Sequence, residues 1–243
     1  MGAPTEGPVL PEAWRGRVRK ERCFYSKRNQ VFLGRLLEAP RQPQVVVKIH
    51  ACPEAAAREA RLLGQLCRAG VRVPRLLEAE GRHLLLEYLP GPLVSDLMDQ
   101  GQSGGEWVRM LASWLSRLHR FRRRAPGAVS LKGDVNLRNF LVCRGRLYGL
   151  DFEREHYGPP EEDLGRASAF ILTHSPAFTP ERWERAREFA LAALKGDPRL
   201  SGPQLERELI QELGRMAERR PDHRPRILEV LKKRRSDGSV GLF

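Results

Sequence analysis

The chain of 243 residues has only four cysteines, Cys23, Cys52, Cys67 and Cys143, and no two of them form a C-x-x-C pair. That scatter argues against a cysteine metal site and against a disulfide framework, and it fits free thiols in a cytoplasmic protein. No apolar run approaches the ~18 residues of a membrane span. The first residues, Met1 to Pro11, are rich in Gly and Pro and lack the apolar core of a signal peptide, so they read as a loose leader. There is no internal repeat, no low-complexity block and no recognisable RNA-binding motif. A G-x-G-x-x-G phosphate loop is missing as well. Acidic residues are in short supply: 43 Lys and Arg stand against 30 Asp and Glu, a net charge of +13. Such a balance favours anionic partners, whether nucleotide, nucleic acid, a membrane surface or an acidic protein. With 41% hydrophobic and 30% charged residues the composition is ordinary for a globular protein. The length allows one large domain or two small lobes, either with a sizeable core.

What is present divides by pattern. Trp14 to Gly34 reads as two strands around the polar turn Ser26 to Gln30, where Lys27 and Arg28 are either a solvated basic tip or, with nearby N–H groups, contacts for a phosphate. Pro40 to Pro43 is a turn. Gln44 to Ile49 is β-branched and nearly continuous, an emphatic strand with Lys48 near its end. A Lys on a buried strand costs desolvation unless it is paired. Pro53-Glu54 opens a helix whose apolar stripe is Ala56, Ala60, Leu63, Leu66 and Cys67, and Gly70 ends it. Glu59 lies near the edge of that stripe, either as one more solvated helix carboxylate or turned back toward Lys48, and Glu54 on the first turn competes for that place. Arg75 to Ala79 and His83 to Leu89 are two further strands, and Pro90-Gly91-Pro92 closes the second. Beyond it the chain turns helical. Ser95 caps a short helix over Asp96 to Gln100, Gly101 to Gly105 is a loop, and Glu106 to Phe121 keeps a 3.6-residue period. Arg122 to Arg124 suit the negative end of that helix dipole. Further helices are expected over Glu162–Leu172, Thr179–Leu194, Gln204–Arg219 and Arg224–Lys233, with a basic run at Lys232 to Arg235 and a Gly/Ser tail.

The stretch that organises the rest is Leu131-Lys132-Gly133-Asp134-Val135-Asn136-Leu137-Arg138-Asn139, followed by apolar runs at Phe140 to Val142 and Leu147 to Leu150. A turn at Arg144 to Arg146 makes these a hairpin. Asp134 and Asn139 precede its first strand, and Asp151 follows its second. A hairpin brings its outer ends together, so two carboxylates and an amide converge there. Their oxygens suit a hard cation such as Mg²⁺. Both Asp and Asn are also common turn formers, so one motif alone leaves a plain loop open.

The five-position spacing of Asp134 and Asn139, with Asp151-Phe152 beyond, resembles the catalytic and metal-binding loops of the protein-kinase-like superfamily. It resembles most its small atypical members: aminoglycoside phosphotransferases, lipopolysaccharide core kinases, RIO-type kinases and the small kinase of the tRNA threonylcarbamoylation machinery. Arg58-Glu59-Ala60-Arg61-Leu62-Leu63 and Val73-Pro74 add to the likeness. The resemblance implies an α+β, bilobal fold, with a small antiparallel-sheet lobe and one helix over 1–89 and a mainly helical lobe over 90–243. It implies ATP and Mg²⁺. Lys48 then holds the α- and β-phosphates, Glu59 orients it, and Glu87 and Leu89 stand where hinge backbone groups bind adenine. Asp134 becomes the base toward an acceptor hydroxyl of a small molecule, saccharide, lipid or protein, and Asn139 and Asp151 hold the metal. Asp163 stands near the place of the acidic residue that braces the catalytic loop in the superfamily, and an ordinary acid at a helix N-terminus explains it equally well. Two departures stand out. Lys132 replaces the usual His, either as a structural substitute or beside the transferred phosphate, and Glu153 replaces the Gly of Asp-Phe-Gly. With the absent glycines they leave a second reading, a pseudokinase that binds nucleotide or scaffolds without turnover. A third, a basic nucleic-acid-associated protein, rests on charge alone. The short stretch Glu153 to Glu161 is expected to be an irregular loop with no room for a long activation segment.

Overall fold

The computed structural model describes residues 10–26, 28–39, 43–100 and 105–237, with no account of the side chains of Arg123 and of 234–237. Most of the leader, Lys27, most of the turn at 40–43 and of the loop at 101–105, and the C-terminal tail lie outside the described residues. The chain divides into two compact units, one of Met1–Ala69 with Val73–Pro90, the other of Gly70–Arg72 with Gly91–Phe243.

In the first unit five antiparallel strands run in the order β1-β2-β3-β5-β4. They are β1 (Val18–Phe24), β2 (Gln30–Leu36), β3 (Gln44–Ile49), β4 (Leu76–Glu80) and β5 (His83–Glu87). β3 is central, with Val47 opposite Phe32 on one side and Leu85 on the other. Its two-residue alternation puts Val45, Val47 and Ile49 into a core with Trp14, Val18, Phe32 and Leu85. Each such side chain contributes about 1.5–3 kcal/mol by burial. Val46 and Lys48 point to the opposite face, where helix α1 (Pro53–Arg68) lies. The stripe of α1 differs from the expected one. Its buried residues are Ala56, Glu59, Leu62, Leu63 and Leu66, whereas Cys67 is exposed and Ala60 only half-buried. The helix is rotated so that Glu59, not an apolar residue, faces the sheet, because Lys48 is there to receive it.

The second unit holds α2 (Val94–Asp99), α3 (Glu106–Phe121), α4 (Pro160–Leu172), α5 (Pro180–Gly196), α6 (Gly202–Arg219) and α7 (Arg224–Asp237). α3 packs on α5, and α4 packs on both α5 and α6. α2 starts earlier than expected, and the cap differs: the Asp96 carboxylate accepts the N–H of Leu93 at 3.2 Å, and Ser95 is buried inside the first turn. Thr179 and Ser201 cap α5 and α6 through their hydroxyl oxygens. Two small sheets complete the unit. β8 (Phe140–Cys143) and β9 (Arg146–Gly149) form the expected hairpin. β6 (Arg123–Ala125), β7 (Ala128–Leu131) and β10 (His156–Gly158) form a sheet ordered β10-β7-β6. This second sheet corrects two expectations. Arg123 and Arg124 belong to a strand rather than to the end of α3, and residues 156–158 pair with β7 rather than lying in an irregular loop.

Candidate active site

In the first unit the site residues meet as an ion pair. Lys48 and Glu59 are 6% and 4% exposed, and Nζ lies 2.7 Å from Glu59 Oε2. His50, also buried, places Nε2 2.9 Å from the same oxygen. Glu54 is exposed on the first turn of α1, so the competitor is ruled out as the partner. Burial by itself raises the pKa of Glu59; the contacts with His50 and Lys48 outweigh it and bring the value down from 4.5 to about 2. The sign of the stability effect follows. A carboxyl depressed on folding adds stability above pH 4.5, and that share is lost as pH falls from 4.5 toward 2. Urea midpoints measured across this window should therefore fall more steeply for the wild type than for Glu59→Gln; parallel curves would exclude the linkage.

Glu87 ends β5. Its N–H donates to the Arg75 carbonyl at 2.9 Å, and its carboxylate accepts from Arg75 Nε at 3.2 Å. Its main-chain N–H is thus spent inside the sheet. Leu89 is buried, at 8% exposure.

In the second unit the loop from Lys132 to Asn139 is held from beneath by α4. Asp163, in the first turn of α4, is fully buried. Its carboxylate accepts the N–H of Lys132 at 2.8 Å and of Gly133 at 3.0 Å, and lies 3.1 Å from His119 Nε2. Burial pushes the Asp163 pKa up, but His119 and the two N–H donors outweigh it and hold it below the ordinary value. One turn along α4, Arg166 Nη1 donates to the Gly133 carbonyl at 3.1 Å. Gly133 itself has φ +76, and any Cβ there meets the Arg154 carbonyl, so a side chain is excluded on both counts.

The far side of the loop is closed by Lys132. Its side chain is fully buried, and Nζ donates to the carbonyls of Leu150 and Asp151, both at 2.6 Å. Nζ also stands 4.7 Å from the ring centre of Phe152 and 5.5 Å from that of Phe140. Two carbonyls and two ring faces offset the desolvation of the ammonium group. Asp151 has φ +57, a left-handed conformation unusual for a residue with a side chain, and Lys132 grips its carbonyl.

The hairpin then places the remaining residues. Phe140 pairs with Gly149, and the Leu150 N–H donates to the Asn139 carbonyl at 2.8 Å, so Asn139 and the Asp151 segment lie side by side. Asn139 Nδ2 donates to the Asp134 carbonyl at 3.2 Å. The amide oxygen is therefore what Asn139 can offer a cation. Asp134 is half-buried; its Oδ1 accepts the Asn136 N–H at 3.2 Å, and its Oδ2 has no partner among the described residues. The structure thus brings Asp134, Asn139, Asp151 and Lys132 to one end of the hairpin. It brings Lys48 and Glu59 together in the other unit. Sequence reasoning missed His50, His119, Gly133 and Arg166. The signal for Arg166 was its three-residue step from Asp163 on one helix face; His119 and His50 offered none.

Comparison with known proteins bears on the same regions. The phosphotransferase enzyme family model, APH, matches residues 29–130, a stretch that contains Lys48, Glu59, Glu87 and Leu89 and ends before Asp134. A probable serine/threonine-protein kinase BUD32 homolog of Archaeoglobus fulgidus is 28% identical over 164 residues, 66% of this chain and 76% of that protein. Choline kinase from Cryptosporidium parvum Iowa II superposes with a TM-score of 0.60 at 11% identity, covering 92% of each chain. The fold is protein-kinase-like. A streptomycin–ATP–APH(2")-IIa ternary complex also superposes, with a TM-score of 0.60 at 14% identity over 83% of this chain and 86% of that one. Together these matches support a kinase-like phosphotransferase. No helix among the described residues is long and apolar enough to cross a membrane.

Proposed function

We propose that this kinase-like chain is an ATP-dependent phosphotransferase that moves the γ-phosphate of Mg-ATP to an acceptor hydroxyl. The observation that carries the reading is the meeting of Asp134, Asn139 and Asp151 at one hairpin end, with the loop backbone clamped by Asp163, Arg166 and Lys132. Phosphoryl transfer asks little covalent chemistry of a protein, so positioning and charge neutralisation are the work to be done. The open Oδ2 of Asp134 takes the proton of the acceptor hydroxyl as its oxygen bonds to the γ-phosphorus and the bond to ADP breaks. Lys48, oriented by an ionised Glu59, is the cation for the α- and β-phosphates. The main-chain groups of Glu87 and Leu89 serve adenine, with Glu87 limited to its carbonyl.

The amide oxygen of Asn139 and the carboxylate of Asp151 fit Mg²⁺, which is commonly held by one or two carboxylates together with waters and substrate phosphates. When bound, the metal neutralises charge on the phosphates. Lys132 is a positioning residue in this reading: its donors are committed to the carbonyls of Leu150 and Asp151, so it fixes the backbone from which the Asp151 carboxylate projects. The acceptor is a small-molecule hydroxyl or a protein Ser/Thr, the two classes named by the choline kinase and by the serine/threonine-kinase relative. A cytoplasmic location completes the proposal.

Calorimetric titration of Mg·ATP tests the nucleotide and metal half of this reading. Asp151→Asn should lose the Mg²⁺-dependent part of the affinity while the urea midpoint stays close to wild type. Unchanged Mg·ATP affinity in that variant would remove Asp151 from the metal site.

A further inference from the structure

A second concave site lies within the second unit, between α3 and the turn of the β8–β9 hairpin. It is open to solvent, has a volume of about 510 Å³ and is lined by Arg72, Arg109, Ser113, Trp114, Arg117 and Arg146, among others. That volume is within the range of small-molecule sites. It is not the hairpin end described above. Asn139 and Asp151 flank the open ends of β8 and β9, whereas Cys143 pairs with Arg146 at the closed end. Four residues of strand, roughly 10 Å, separate the two.

The charge around this cavity is one-sided. Arg109 pairs with Glu188 at 2.8 Å, but Arg72, Arg117 and Arg146 have no carboxylate partner among the described residues. The lining carboxylate is Glu106, in the first turn of α3, where the helix dipole already favours it. Three guanidinium groups without a carboxylate partner give the lining a positive potential, which attracts an anion. The frame that carries them is stiff. Trp114 is 2% exposed, and its Nε1 donates to the Arg72 carbonyl at 2.8 Å. The Gly149 N–H donates to the same carbonyl at 3.1 Å. Gly149 is obligatory there, since a Cβ would run into the Trp114 ring. Thus the backbone of Arg72 is pinned to α3 and to the hairpin, while its side chain lines the cavity. The guanidinium fork matches the paired oxygens of a phosphate, and the Ser113 hydroxyl adds a donor.

We propose that this cavity is a second anion site, separate from the catalytic hairpin end, that binds a compact, multiply phosphorylated small molecule. A pocket of about 510 Å³ matches the size of such a ligand better than the length of an extended nucleic-acid strand, which needs a track along its backbone.

The test uses inorganic tripolyphosphate and the full chain carrying Lys48→Met, which removes the phosphate cation of the other unit. Calorimetry should show saturable binding in that background. Adding Arg117→Gln and Arg146→Gln, both on exposed side chains, should weaken it by roughly tenfold or more, with an unchanged far-UV circular dichroism spectrum. Should the double change disturb the fold, Arg146→Gln alone, at a hairpin turn, is read in its place. Absence of tripolyphosphate binding, or binding insensitive to these arginines, overturns the proposal. A short single-stranded RNA that binds through the same arginines where tripolyphosphate does not also overturns it, in favour of an RNA-binding surface.

Discussion

Asp163→Ala should destabilise the chain by about 3–5 kcal/mol, the usual cost of removing one partner from a buried charged network. Asp163 is fully buried and supplies both oxygens to three donors on two other elements: the N–H groups of Lys132 and Gly133 and the His119 ring. Alanine leaves all three donors, two of them buried, without that acceptor, and each buried orphan costs about 1–3 kcal/mol if no water reaches it. Asp163→Asn should do less harm, because it keeps one acceptor oxygen but turns an amide N–H toward a donor. The loss is read in urea unfolding and in faster amide exchange at Lys132 and Gly133. Wild-type midpoints and unchanged exchange at those two amides would show that the loop is held by something other than α4.

Asp134→Asn should leave the fold and the affinity for Mg·ATP nearly intact and lower phosphoryl transfer by about 10² to 10⁴, the typical worth of a general base. The variant keeps the size of the side chain. It also keeps an oxygen that can accept the Asn136 N–H, the one hydrogen bond of the Asp134 carboxylate within the described residues. What it removes is the basic oxygen, Oδ2, that has no internal partner. The separation of rate from affinity is the informative part. A residue that only shaped the turn would change stability or binding instead, and Asn is as good a turn former as Asp. If Mg·ATP affinity and transfer fall together, Asp134 belongs to the nucleotide site and the base lies elsewhere.

Local pattern made much of this fold legible. β3 runs from Gln44 to Ile49 and α3 from Glu106 to Phe121, as periodicity and β-branching indicate. The β8–β9 hairpin was likewise legible, because apolar runs and a turn signal sit next to each other in the chain. The sheet of β6, β7 and β10 was not. Its strands are three or four residues long, two of them lack an apolar run, and β10 gains its partner from a segment some 25 residues earlier. The phase of α1 was misread for a related reason. Hydropathy places Cys67 inside and Glu59 at the edge, but Lys48 and His50 give Glu59 a buried partner that no helical wheel contains. At the site, Asp134, Asn139 and Asp151 were legible through spacing, and Lys48 through its strand. The supports were not. His119 sits on the apolar face of α3 and meets Asp163 from 44 residues away, and Lys132 finds its carbonyls only once the hairpin has closed. Buried polar networks join residues by space rather than by sequence interval, so periodicity does not report them.

The measurement that bears most directly on the central claim is transfer of labelled γ-phosphate from ATP by the wild-type chain and by Asp134→Asn, side by side. It should be run with Mg²⁺ and with Mn²⁺, counting transfer to water, to the chain itself and to a panel of small-molecule and protein hydroxyls. A phosphotransferase with Asp134 as its base should show metal-dependent transfer by the wild type that exceeds the variant by about 10² or more. Equal residual rates in the two proteins, with either metal and across the whole panel, would contradict it and leave a nucleotide-binding module without turnover.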